Sequence, residues 1–149
     1  MNSNVKHNEP QNIILYLQVH QPRRLRTVNF FDIPNEPVYF NDDLNAALVR
    51  RIADRCYIPA NNLLLNLIEQ YPQIKITLSL SGVVIEQLEA YAPEALESFK
   101  RLAKTGSVEF LSETYYHSLA SLINTEEFEV PGLADCIGRP VPRGELRAA

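Results

Sequence analysis

At 149 residues, 46% of them hydrophobic, the chain can build one domain with an ordinary core and is not disordered by composition. Its formal net charge of -4 argues against a nucleic acid or an anionic membrane surface as partner, and Arg23, Arg24 and Arg26 read as a solvated basic face. No apolar run approaches the roughly 20 residues of a spanning helix, the polar N-terminus lacks a signal-peptide core, and Cys56 and Cys136 make neither a metal pattern nor a disulfide framework. The expectation is a cytoplasmic protein that needs no metal and no cofactor.

Residues 1–11 read as a disordered leader. Ile13 to Val19, I-I-L-Y-L-Q-V, is a continuous apolar run, as expected of a strand buried on both faces. It ends in His20, Gln21 and Pro22. The proline cannot continue a central ladder, so His20 stands at the strand's C-terminal edge. A long loop follows from Arg23 to Asn41, carrying Phe30, Phe31, Tyr39 and Phe40, and a loop of that length in that place is more often functional than idle.

Asn41, Asp42 and Asp43 supply a helix cap and first-turn acids, with Leu44, Ala47, Leu48 and Ile52 at helical spacing. Pro59 suits the first turn of a second helix, whose apolar face would be Leu63, Leu64, Leu67, Ile68 and Tyr71. Both stripes read as core packing. Pro72 closes that helix, Ile74 to Leu80 alternates as a second strand, and Ser81 and Gly82 break it. Helical signals run from Val84 to Tyr91. A further helix starts near Pro93, buries Leu96, Phe99 and Leu102 or Ala103, and stops before Gly106, which suits the residue after a C-cap.

From Gly106 to Leu122 the chain reads G-S-V-E-F-L-S-E-T-Y-Y-H-S-L-A-S-L. Val108, Phe110 and Ser112 alternate with Glu109, Leu111 and Glu113, the period of a third strand. Glu113, Thr114, Tyr115, Tyr116 and His117 then follow in quick succession. That density of acid, phenol and imidazole at a strand end points to a site; the plainer alternative is two tyrosines capping a core beside a solvated carboxylate and imidazole.

Strands separated by helices imply a parallel sheet with crossover helices. That arrangement brings His20-Gln21, Ser81-Gly82 and the Glu113 to His117 segment to one edge, where ligands bind in α/β proteins. The pattern breaks after Val130. Thr125 to Phe128 start a helix that Pro131 stops, and residues 130–149 read as an irregular, structureless tail, expected to be out-of-frame or fusion sequence after a truncation.

The H-Q-P at His20 to Pro22 and the G-S-V-E-F-L-S-E-T-Y-Y-H at Gly106 to His117 resemble the first two of five motifs of glycoside hydrolase family 57, closest to its α-amylase-like members. The resemblance covers roughly residues 12–129. It implies the N-terminal part of a retaining enzyme that cleaves or transfers α-glucan chains, built on an incomplete (β/α)7 barrel, with an α-glucan or maltooligosaccharide as partner. His20 and His117 inherit a substrate-contact role, with Gln21, Glu113 and Tyr116 as further candidates in the same motifs. Imidazoles and phenols suit that role because they hydrogen-bond sugar hydroxyls while aromatic faces cover the apolar side of the ring.

The resemblance assigns the nucleophilic glutamate to a third motif and the acid/base aspartate to a fourth, and neither motif is present, so no residue is assigned a catalytic role. Glu109 and Glu113 cannot replace them: four residues apart on a strand they stand roughly 13 Å apart, against about 5 to 5.5 Å for a retaining pair. The expected product is inactive alone. Two other functions fit less of the pattern. One is a carbohydrate-binding module that holds glucan without cleaving it. The other is a metal-dependent deacetylase-like fragment, for which paired histidines at helical spacing are missing.

Overall fold

The computed structural model of the protein describes residues 13–27, 39–111 and 113–117. The leader at 1–11, the middle of the first loop, the helix start at Thr125 and the tail at 130–149 lie outside those residues.

The described residues form a three-stranded parallel sheet, β1 (Tyr16–Val19), β2 (Ile76–Leu80) and β3 (Val108–Leu111), in that spatial order. The register pairs Tyr16 with Thr77 and Val19 with Leu80, then Ile76 with Val108 and Ser79 with Leu111. Two helices connect each pair of strands: α1 (Asp42–Ile52) and α2 (Ile58–Gln70), then α3 (Gly82–Tyr91) and α4 (Pro93–Lys104). The sheet is open, as expected for part of a barrel. Its core joins Val19, Leu78, Leu80 and Val108 from one pleat face to Val49, Leu64, Leu88, Phe99 and Leu102 of the helices.

Local chemistry sets several boundaries as the sequence suggests. The Asn41 side chain accepts the Leu44 N–H at 3.0 Å and caps α1. Gly106 follows the α4 C-cap with φ 71, the left-handed conformation that glycine adopts without a Cβ clash.

Four expectations need correction. First, the apolar run is not a strand buried on both faces: β1 takes in only Tyr16–Val19 of it, Ile13 (94% exposed) and Ile14 (84%) precede the strand, and only Val19 of the strand is buried. Among the described residues it lies at the sheet edge, and no helix of the core covers the alternate face with Tyr16 and Gln18. Second, the inward stripe of α1 is Asn45 and Val49 rather than Leu44 and Leu48, a rotation by one residue. Buried Asn45 sets it, by holding the Arg24 backbone from both sides: its Oδ1 accepts the Arg24 N–H at 2.8 Å and its Nδ2 donates to the Arg24 carbonyl at 3.2 Å. On α2, likewise, Leu64 and Ile68 are buried with Asn61, whereas Leu63 and Tyr71 are exposed.

Third, Pro59 does stand in the first turn of α2, but no loop separates that helix from α1. Ala53–Tyr57 form a π turn that links α1 to α2 without a break, the Ile58 N–H reaching the Ala53 carbonyl. Proline has no N–H and its ring crowds the carbonyl four residues back, and the wider turn relieves that crowding. Fourth, β3 ends at Leu111, so Glu113 stands beyond the strand and its spacing from Glu109 is not a strand spacing.

Candidate functional site

His20 leaves the end of β1 and meets the residue that follows β2. Its Nδ1 lies 2.7 Å from the Ser81 Oγ. Ser81 occupies the N-cap position of α3, where a serine hydroxyl ordinarily takes a helix N–H, yet it makes no such side-chain bond. The hydroxyl serves the imidazole instead, while the Ser81 carbonyl receives the Val84 and Ile85 N–H groups.

The segment after β3 folds into a turn, with the His117 N–H donating to the Thr114 carbonyl at 3.0 Å. His117 adopts φ 55, a left-handed conformation unusual for a side-chain-bearing residue. The turn is seated on α3. The Val83 N–H donates to the Tyr115 carbonyl at 3.0 Å, and the Tyr115 ring lies so close over Gly82 that a Cβ there would enter it. The Tyr115 hydroxyl donates to one oxygen of Glu86, while Arg23 Nη2 donates to the other at 2.7 Å. Burial, then the Glu86 carboxylate, hold the Tyr115 phenol well above its ordinary pKa, so it keeps its proton as donor.

This seating brings the two imidazoles together. The His20 and His117 rings lie 4.8 Å apart, centre to centre, inclined by 38°. Gln18, on the outer pleat face of β1, places its Nε2 at 3.0 Å from His117 Nδ1 and 3.3 Å from its Nε2, as a donor to an unprotonated ring nitrogen. Glu113 Oε1 stands 3.2 Å from the Nδ1 of His117, yet among the described residues neither oxygen of that carboxylate has a hydrogen-bond partner, and its side chain is only 11% exposed. Protonation of His117 would give this buried carboxylate a charged donor. Burial first, then the neighbouring His117, lower the His20 pKa from its usual 6.5, with Arg24 adding to the shift and Glu113 opposing it. A neutral His20 is the state suited to a hydroxyl-bearing ligand.

Of the five residues singled out from the sequence, His20, Glu113 and His117 converge, and Tyr116, 66% exposed, stands beside them over open solvent. The plainer alternative holds in part: the His117 side chain is 44% exposed and Tyr115 packs on Gly82, whereas Tyr116 is largely exposed and Glu113 is enclosed rather than solvated. Gln21 is turned toward the protein. Its Nε2 donates to the Tyr57 hydroxyl at 3.3 Å, its Oε1 accepts from Arg24 Nη2 at 2.9 Å, and its carbonyl takes Gln87 Nε2 at 2.6 Å. Tyr57, carried by the π turn, is buried against Phe99, and that burial raises its pKa. Arg23 and Arg24 are thus engaged in the site's frame and are not a free basic face. Among the described residues, no three His, Cys, Asp or Glu side chains are grouped to hold a metal ion.

The sequence places Ser81 at this edge but assigns it no role, and it passes over Gln18 and Glu86. Ser81 carries the one available signal, because it follows β2 as His20 follows β1.

A parallel α/β sheet with polar groups from all three strand ends gathered at one edge belongs to the class that binds ligands beyond the carboxyl ends of its strands. The chain belongs to glycosyl hydrolase family 57, whose model matches residues 14–130. A Methanocaldococcus jannaschii protein with the provisional name alpha-amylase is 40% identical over 116 residues, which are 77% of this chain and 25% of that protein. The alpha-amylase of Pyrococcus horikoshii is 31% identical over 80 residues, 54% of this chain and 12% of that enzyme. The crystal structure of 4-alpha-glucanotransferase from Thermococcus litoralis shares the fold with a TM-score of 0.50 at 21% identity, over 76% of this chain and 14% of that one. The chain therefore spans a quarter or less of the length of these relatives.

Proposed function

We propose that this chain is the sugar-holding N-terminal portion of an α-glucan-acting, retaining glycoside hydrolase of the α-amylase or glucanotransferase type, and that it binds α-glucan without cleaving it. His20 and His117 contact sugar hydroxyls, Tyr116 covers a ring face, and Glu113 orients His117. Gln21 holds the first motif in place rather than touching the sugar.

The observation that carries the reading is the 4.8 Å approach of the two imidazoles, from positions 20 and 117 of the sequence, at the edge where α/β proteins bind ligands. A retaining mechanism needs two accessible carboxyl groups about 5 to 5.5 Å apart. The carboxylates closest to the cluster in its bonding network do not offer them: Glu113 has both oxygens enclosed, and Glu86 is held by Arg23 and Tyr115. The bond-breaking acids are accordingly assigned to other parts of the family's fold.

The test is calorimetric titration of the full chain with maltopentaose, run beside an assay for released reducing ends. Binding without release is expected, and His20→Ala and His117→Ala should each abolish it. No heat of binding at millimolar sugar, or sustained starch digestion by this chain alone, defeats the proposal.

A further inference from the structure

Gln87 is buried on the second turn of α3. Its Nε2 donates to two carbonyls at once, that of Gln21 at 2.6 Å and that of Val83, one turn back on its own helix, at 3.2 Å. Two acceptors on one atom fix which way the amide faces, because the flipped side chain would set oxygen against oxygen. The other end of the amide is left unmet: Oε1 is buried and, among the described residues, has no hydrogen-bond partner. An unmet buried acceptor destabilises a fold, so packing alone would favour an apolar side chain at this position.

The two bonds join the three strand ends. The ladder between β1 and β2 closes with the Ser81 N–H donating to the Val19 carbonyl at 3.2 Å. Past it, side chains hold the exit of β1 to α3: Ser81 meets His20, Glu86 meets Arg23, and Gln87 meets the main chain between them. Of these three, the Gln87 bond alone grips backbone. Val83, the second acceptor, donates its N–H to the Tyr115 carbonyl at 3.0 Å, in the turn that carries His117. A continuous path through Gln21, Gln87, Val83 and Tyr115 therefore runs from the residue after His20 to the turn that ends in His117.

We infer that Gln87 is a positioning residue: by tying the Gln21 carbonyl to the Val83 carbonyl it sets the exit of β1 against α3, and through them the approach of the His20 and His117 rings. It lies outside both motifs and acts on a ligand only through the two histidines. The inference rests on the α-glucan reading above for its effect on binding, and not for its effect on the rings.

Gln87→Met keeps the length of the side chain and removes the donors together with the unmet acceptor, so the fold should survive. Proton NMR of the full chain should show an Overhauser contact between the His20 and His117 rings that is lost in Gln87→Met. Maltopentaose should bind that variant about tenfold more weakly, the scale of one hydrogen bond. Asn61→Leu is the control for an amide that only supports the fold: it strips the buried bond from Asn61 Nδ2 to the Ser98 Oγ at 2.8 Å, between α2 and α4, and should lower the melting temperature while ring contact and affinity stay as they are. In the wild type, the side-chain amide protons of Gln87 should exchange with solvent more slowly than those of exposed Gln70 and Gln73. A Gln87→Met variant that behaves like the Asn61 control, a wild type without the ring contact, or Gln87 protons that exchange as fast as the exposed ones overturns the inference, the last two without any variant having to fold. A wild type that binds no maltopentaose defeats the α-glucan reading, while the ring contact and the exchange rates still decide the role of Gln87.

Discussion

His20 is where burial, charge and hydrogen bonding meet, and its titration follows from them. Its folded pKa lies below the usual 6.5, so the unfolded chain binds more protons between the two values. Stability is therefore complete above about pH 6.5 and falls as the solution is acidified toward the folded value. The melting temperature should drop through that window, and His20→Gln should flatten the slope. Proton NMR should place the His20 midpoint below 6.5, and His117→Gln should raise it only in part, because burial outweighs the neighbouring ring. A midpoint at or above 6.5 would contradict the packing described for this ring. The residue itself was legible: an apolar run stopped by Pro22 leaves an imidazole at a strand end. Its partner was not, because a serine before a helix reads as a cap, and only the folded chain diverts the Ser81 hydroxyl to His20.

At the scale of elements, the turn after β3 depends on the first turn of α3. Gly82 has an ordinary backbone conformation, so its lack of a Cβ matters for the Tyr115 ring lying on it rather than for φ. Gly82→Ala should push Tyr115 off the helix, carry His117 away from His20, and cost about 1–3 kcal/mol, the usual range for overpacking. In a Tyr115→Ala background the same change should be neutral or stabilising, since alanine favours a helix and the obstacle is gone. An equal cost in both backgrounds, read from denaturant midpoints, would show that the ring does not set the requirement. The helices and their order were readable from caps and prolines. The faces were not: periodicity placed Leu44 and Leu48 inward, but burying Asn45 to bind both sides of Arg24 rotates α1 by one residue. The π turn also has no periodic signature, and a proline in a helix's first turn looks the same whether or not another helix precedes it.

At the scale of the molecule, the helices among the described residues cover one pleat face, and β1 with the residues leading into it stands at the edge of the described sheet, an apolar, uncharged sequence from Ile13 to Val19. The parallel sheet was legible because three apolar or alternating segments are separated by helical ones. The edge was not, since a continuous apolar run predicts burial and says nothing of which neighbours provide it. Ile13, Ile14, Leu15, Tyr16 and Leu17 are all exposed, and among the described residues no strand pairs with the outer side of β1. Natural edge strands are protected by charges, prolines or bulges, and this one has none of them between Ile13 and Val19. The chain should therefore self-associate as its concentration rises. Ile14→Lys should reduce that association with little effect on folding, because the side chain is already 84% exposed and lysine is the common guard of such edges. Light scattering and sedimentation at matched concentrations would compare the two forms. A wild-type chain that stays monomeric when concentrated and melts in one sharp two-state transition would mean that the β1 edge is shielded, and the expected benefit of the lysine would vanish with it.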